Sequence, residues 1–360
     1  MSKHVDARKN RWREFLRPES DPGWLFICEL PREDAQAVFR LLRPNNTAAR
    51  VDYALREHEK QLRRAEVLHD DLVPHLNVLT GTEIFAEAFG CQVHRPEGNM
   101  PCAMPLIHTA EEVKKIKVPR LEDTPLMELF DIADALREKA DCDAVLRIPD
   151  IQSPMDIAAL VWEKSEMLLA MVLEPEAVEE LARKAAQLLT AFLDQWFTRY
   201  GTEYVAHCPD YFIGNGISVS EDEVGIVSGD MFEQFFRPHL VALSERYHGL
   251  GIHCCADARH QWDNFNRLPN LRLLNISRGK HQWREAKEAY GFFNHSIAQM
   301  HYGWFPEGPL ESCLAQYPPN AKVVMKPTPR TLDEAIEIAD KLNVLRGDWQ
   351  GVPKWPVARL

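Results

Sequence analysis

Gly251-Ile252-His253-Cys254-Cys255-Ala256-Asp257 is a short run that begins apolar and stops on side chains suited to metal and proton chemistry. Its first five residues read as a strand and the rest as the loop at its carboxyl end. Upstream, Gly229 to Tyr247 has helical periodicity, and the same alternation extends along the chain. Further candidate strands are Asn77 to Leu79, Ala144 to Ile148, Tyr204 to Cys208, Leu271 to Ile276, Gly291 to His295 and Lys322 to Met325. Further helices are expected over Met155 to Met171, Pro175 to Tyr200 and Leu332 to Leu345. In Pro175 to Tyr200 the apolar positions 178, 181, 182, 185, 188, 189, 192 and 193 form one stripe. Short strands alternating with long amphipathic helices are the pattern of parallel βα units. No strand runs into a GxGxxG turn, so the pattern favours an α/β fold of the single (β/α)8 TIM-barrel type, with an open α/β sheet as the other architecture.

The chain has 360 residues, 45% hydrophobic and 27% charged, with a net charge of −12. A chain of this size buries enough surface to fold without a disulfide or metal, so a metal here would be functional first. An acidic chain without long basic patches excludes a nucleic-acid partner. No stretch of about 18 apolar residues occurs and the first residues are charged, so no membrane partner is expected and a cytoplasmic location is. The eight cysteines are scattered without CxxC spacing, and no disulfides are expected. The charged helical pattern from Asn45 to about Asp71 divides the chain into an N-terminal helical extension, residues 1–74, packed on a barrel formed by residues 75–360.

In a parallel barrel the chemistry sits where strands end. Those junctions read Arg147-Ile148-Pro149-Asp150, His207-Cys208-Pro209-Asp210, His253 to Asp257, and Asn294-His295 followed by His301. His253 and Cys255, two apart, project to one side of a strand end, where imidazole and thiolate could grip one zinc. The plainer reading is a buried cysteine pair beside a histidine that only hydrogen-bonds its neighbours. His207, Asp210 and Asp150 are candidates for acid/base work or for orienting a ligating imidazole. In Ser220 to Ser228 the acids are expected to face water, with Ser228 capping the following helix.

Several runs together resemble the uroporphyrinogen decarboxylase superfamily. They are Leu106 to Val113, Ser153-Pro154-Met155-Asp156-Ile157-Ala158-Ala159-Leu160-Val161-Trp162-Glu163, Pro175 to Val178, Ser228 through Phe235 with Arg237-Pro238, and His253-Cys254-Cys255. The likeness runs from about residue 75 to 345, in the right order. It implies a single (β/α)8 barrel belonging to one of two branches, metal-free porphyrinogen decarboxylases or zinc-dependent methyltransferases that work between corrinoid proteins and thiols. The decarboxylase branch carries an arginine-rich N-terminal signature for its polycarboxylate substrate. Gly23 to Arg32 offers a single arginine in its place, which places the chain closer to the methyltransferases.

In that branch the resemblance implies that His253 and Cys255 are zinc ligands. The family's third ligand, a cysteine after the last strand, is missing from Val323 to Arg330. Substitutes are His207, Cys208, His295, His301 and Cys254, with His301 and His207 first because barrel junctions converge on one axis. The expected function is that of a zinc-dependent methyltransferase-like enzyme moving a methyl group between a corrinoid protein and a small-molecule thiol or similar acceptor. Its expected cofactors are Zn2+ and a corrinoid on a partner protein, with a homodimer as the assembly considered. The rival readings are a decarboxylase (carboxy-lyase) of porphyrin biosynthesis using Asp150, Asp156 or Asp210, and a non-catalytic barrel that binds a corrinoid or tetrapyrrole.

Overall fold

The computed structural model describes residues 3–348 except 22, 32–34, 44–45, 141–142, 278–282, 294–295 and 301–309. Twelve strands are found among them: β1 (Gly23–Phe26), β2 (His75–Asn77), β3 (Val93–His94), β4 (Cys102–Ala103), β5 (Val145–Arg147), β6 (Tyr204–Val205), β7 (Phe212–Ile213), β8 (Ile217–Ser220), β9 (Leu250–Cys254), β10 (Leu271–Ile276), β11 (Ala298–Met300) and β12 (Lys322–Met325). A six-stranded, all-parallel sheet has the order β1-β12-β11-β10-β9-β8. A second sheet, β2-β5-β6-β7, is parallel except for β7, and β3 and β4 form a small hairpin. The α/β class and the parallel strands agree with the sequence pattern, although the ladder falls into two main sheets rather than one continuous eight-stranded ring.

The sheets meet at two places. On one side Gln152 and Ser220 form a single parallel bridge, with Ser220 N donating to Ile151 O at 2.9 Å and Ser153 N to Ser220 O at 2.8 Å. On the other, Asp71 N donates to Phe26 O at 2.8 Å, and the Asp71 carboxylate accepts Phe26 N at 2.9 Å. A side chain thus does there what a neighbouring strand does elsewhere, satisfying a buried amide.

The helices bury the faces their periodicity selects. Pro175–Tyr200 starts with proline in its first turn, stops at Gly201, whose φ of 84° suits a residue without a side chain, and buries Val178, Leu181, Leu188, Leu189 and Leu193. Its Phe192 and Trp196 pack with Phe130 at ring-centre separations of 5.2 and 5.5 Å. The expected helix at 155–171 is two, Pro154–Val161 and Lys164–Leu173, because Glu163 leaves the helical conformation and caps the second by accepting Glu166 N at 2.9 Å. The expected strand at 291–295 is a correction too: Trp283–Phe292 is helix, and the strand falls at Ala298–Met300.

Residues 1–74 combine helices with a strand. Helices Lys3–Phe15 and Thr47–Val67 lie in this segment as its charge pattern indicates, but between them β1 pairs in register with β12 from Gly23↔Lys322 to Phe26↔Met325. The segment therefore supplies a strand to the main sheet and is not wholly helical. Its first helix is fastened by Arg8 Nε to Asp70 O at 2.8 Å and Trp12 Nε1 to Asp71 O at 2.8 Å. Among the described residues no helix is long and apolar enough to cross a membrane.

Candidate active site

β9 and β10 pair with His253 opposite Asn275. Their side chains therefore emerge on the same face, and the ring Nδ1 of His253 shares a hydrogen bond with Asn275 Oδ1. Because an amide oxygen only accepts, Nδ1 carries the proton, which leaves Nε2 as the lone-pair nitrogen. Nε2 lies 3.1 Å from Cys255 Sγ. His253 is buried, whereas Cys255 is exposed at the strand mouth. Burial pushes the imidazole pKa down, but Cys255, Asn275 and Asp222 together outweigh it and raise it above its ordinary value.

Two ligands of one tetrahedral zinc, with bonds of about 2.0 and 2.3 Å, stand about 3.5 Å apart. The nitrogen and sulfur are close to that spacing, and Asn275 holds the far ring nitrogen as the outer partner of a metal-bound histidine does. These two donors fit such a metal. Among the described residues, however, no three His, Cys, Asp or Glu side chains converge into a metal-holding group. His295 and His301, named as candidates for the third ligand, lie outside the described residues. Cys254 turns into the packed interior, where burial drives its thiol pKa well up and its Sγ sits 3.7 Å from Ala256 O.

His207 occupies the next position around the site, its ring centre 6.5 Å from that of His253. Its Nδ1 accepts Ile151 N at 3.4 Å, so its proton is on Nε2, which contacts Asp150 Oδ1 at 2.9 Å and Ser220 Oγ at 3.1 Å. Asp150 also accepts Gln152 Nε2 at 2.6 Å, and its backbone N–H donates to Thr80 Oγ1 at 2.7 Å. Burial works against its charge, but His207, Gln152 and His253 prevail and hold the carboxyl below its usual range. Asp210 stands one step back, 3.0 Å from Arg147, whose other nitrogen donates to the His207 carbonyl. The structure thus brings Asp150, His207 and His253 together, with Asp210 behind them as the counter-ion of Arg147.

The loop after β8 overturns one expectation. Its acids do not face water: Glu221 and Glu223 are buried. Asp156, at the start of the helix Pro154–Val161, accepts Asp222 N at 2.8 Å and Glu223 N at 3.1 Å, and Lys164 pairs with Glu223 at 2.6 Å. Burial raises Asp156 to about 7 and Glu221 well above its ordinary value, because the two share a hydrogen bond and cannot both ionise cheaply. Asp222 in turn accepts the backbone N–H of Cys255, so this loop sets where the cysteine stands. Gly225 packs against the other side of the Cys255 loop, and a Cβ there would lie 2.5 Å from Cβ of Ala256. Ser228 caps its helix as expected, accepting Met231 N at 3.2 Å.

Asn275, Thr80, Ser220 and Asp222 are the site's unanticipated members. Only Asn275 has a usable signal, as a polar residue in the otherwise apolar run Leu273-Leu274-Asn275-Ile276.

Comparison with known proteins agrees with this architecture. A methyltransferase from Methanosarcina mazei is similar in shape, with a TM-score of 0.63, 12% sequence identity, and coverage of 95% of this chain and 98% of that one. At that identity the likeness concerns the fold. No curated protein matches by sequence. The family model for uroporphyrinogen decarboxylase (URO-D) matches residues 76–288, which span β2 through most of the helix after β10 and include His207, His253 and Cys255. With more than half of its length so matched, the chain belongs to the uroporphyrinogen decarboxylase (URO-D) family.

Proposed function

We propose that the protein is a methyltransferase-like enzyme of this family, with His253 and Cys255 as zinc ligands and His301 as the candidate third. The methyl group would pass between a corrinoid on a partner protein and a thiol or similar small acceptor. The observation that carries the reading is the pairing of His253 Nε2 with Cys255 Sγ at 3.1 Å, backed by Asn275. The shape likeness to the Methanosarcina methyltransferase supports it. What such a metal supplies when bound is a lowered acceptor pKa, so that a thiol reacts as its anion near neutral pH.

The chain's own residues have separable tasks. Asn275 fixes the His253 tautomer, and Asp222 holds the Cys255 backbone. Asp150 faces the reacting molecule as an anion, balancing positive charge or accepting a proton. His207 holds Asp150 through Nε2, and Asp210 acts at one remove by neutralising Arg147, which steadies the His207 carbonyl.

Metal analysis tests this reading. Protein purified and incubated with zinc should hold about one equivalent, and His253→Ala or Cys255→Ala should lose it. A wild-type content near zero after incubation would overturn the proposal. The second reading, a carboxy-lyase acting on a porphyrinogen, draws on the family match and on the anionic Asp150. Conversion of uroporphyrinogen to coproporphyrinogen by metal-free protein would establish it instead.

A further inference from the structure

Beside the strand-end cluster lies a cavity of about 250 Å³, between the helix Thr47–Val67, the segment after β2 and residues 125–129. Thr80 is common to both: it lines the cavity and accepts the backbone N–H of Asp150. Leu79, Ile84, Leu126 and Leu129 give the cavity an apolar wall, and six charged side chains complete it.

The charges are unevenly satisfied. Glu87 pairs with Arg95 at 2.9 Å and Glu128 with Arg50 at 3.6 Å. Arg43, at the rim, has among the described residues only a loose 4.0 Å contact with the exposed Glu97. Glu83 and Arg50 are 5% and 6% exposed, and Arg50 Nη2 donates to Val78 O at 2.9 Å and Leu79 O at 2.6 Å, yet among the described residues Glu83 Oε2, Arg50 Nε and Arg95 Nε have no hydrogen-bond partner. Buried polar atoms in that condition cost stability that a ligand's own polar atoms can recover.

We propose that this cavity binds a small carboxylic acid with an apolar body, its carboxylate drawn to Arg43, Arg50 and Arg95 and accepting a hydrogen bond from Glu83. Three guanidiniums face two paired carboxylates, so the cavity carries one surplus positive charge when Glu83 is neutral. That suits a monoanion better than a phosphate dianion. The apolar wall takes the ligand's hydrocarbon part, and the volume lies just below the range of about 300–1,000 Å³ typical of drug-sized ligands. Burial, with Glu87 and Asp150 nearby and Arg95 opposing, lifts Glu83 to about 7. It is therefore able to donate a proton in a hydrogen bond at neutral pH, as an ordinary glutamate is not. The inference is independent of zinc, since none of these residues touches His253 or Cys255.

Calorimetric titration of the full chain with benzoate, and with benzamide as its neutral isostere, tests the site. Benzoate should bind at least tenfold more tightly than benzamide. Above pH 7 its affinity should fall by about tenfold per pH unit as Glu83 ionises against the surplus charge of Arg43, Arg50 and Arg95. Glu83→Gln, which keeps a neutral donor, should bind benzoate with little pH dependence. Arg43→Ala, a change at the exposed rim, should weaken benzoate about tenfold and leave the circular dichroism spectrum unchanged. Equal affinity for benzoate and benzamide, no benzoate binding, or an unchanged affinity and pH profile in these two variants would each overturn the proposal.

Discussion

Arg346, near the end of the last described helix, donates to Asp71 at 2.6 Å across 275 positions of sequence, with both side chains buried. Arg11 meets the same carboxylate at 2.6 Å. Opposite ends of the chain are therefore tied to one anion, which also closes the gap beside β1. Asp71→Asn leaves the buried Arg346 and the half-buried Arg11 without their counter-charge. It should destabilise the protein by about 3–5 kcal/mol, read as a lowered urea midpoint. Although burial alone would raise the Asp71 pKa, Arg346 and Arg11 with the Phe26 amide hold it below its ordinary value. Its contribution is complete above the unfolded value of about 4 and is lost as pH falls through the lower folded value.

Asn275→Leu removes the partner that fixes the His253 ring without touching either proposed ligand. If His253 and Cys255 hold zinc, its affinity should drop about 10–100-fold in competition with a chelator, while the fold persists. An unchanged affinity would mean that Asn275 does not orient the imidazole.

His75 predicts an acid-sensitive step. Burial pushes its imidazole down to about 4, with Arg147 adding to the effect and Asp210 opposing it. The unfolded chain, with an ordinary value of about 6.5, takes up this proton first. Stability should therefore decline as pH falls from about 6.5 to 4, by roughly 3 kcal/mol from this group. His75→Gln should flatten that part of the stability–pH curve.

Glu221 and Asp156 act in the opposite direction. Their raised values mean that the folded protein holds protons the unfolded chain releases, so the pair weakens the fold as pH rises from about 4 through 7. Glu221→Gln removes one charge at nearly the same shape. It should raise stability by roughly 1–3 kcal/mol at pH 8, with the advantage vanishing in mild acid, as measured by denaturant titration at each pH.

Legibility in the sequence followed the range of the interactions. Pro175–Tyr200 and Leu271–Ile276 sit where periodicity puts them, because a proline start, an amphipathic stripe and an apolar run are all local. β1 was hidden, since Gly23-Trp24-Leu25-Phe26 is too short to declare itself, and its partner β12 lies about 300 residues away. His253 and Cys255 could be paired from their spacing, because alternation along a strand is a property of the chain itself. Asn275 could not be paired with them, because its place opposite His253 is set by the register of two strands. The acidic loop reads as solvent-facing for a related reason: the helix that buries Glu221 and supplies Asp156 begins 65 or more residues earlier.

Gly225 and Ala256 share a space that holds one methyl carbon. Bulk added at 225 would have to be given up at 256, so Ala256→Gly should rescue Gly225→Ala, and across relatives the two positions should vary in concert. The loop carrying the exposed thiol is thus shimmed from behind by a missing atom.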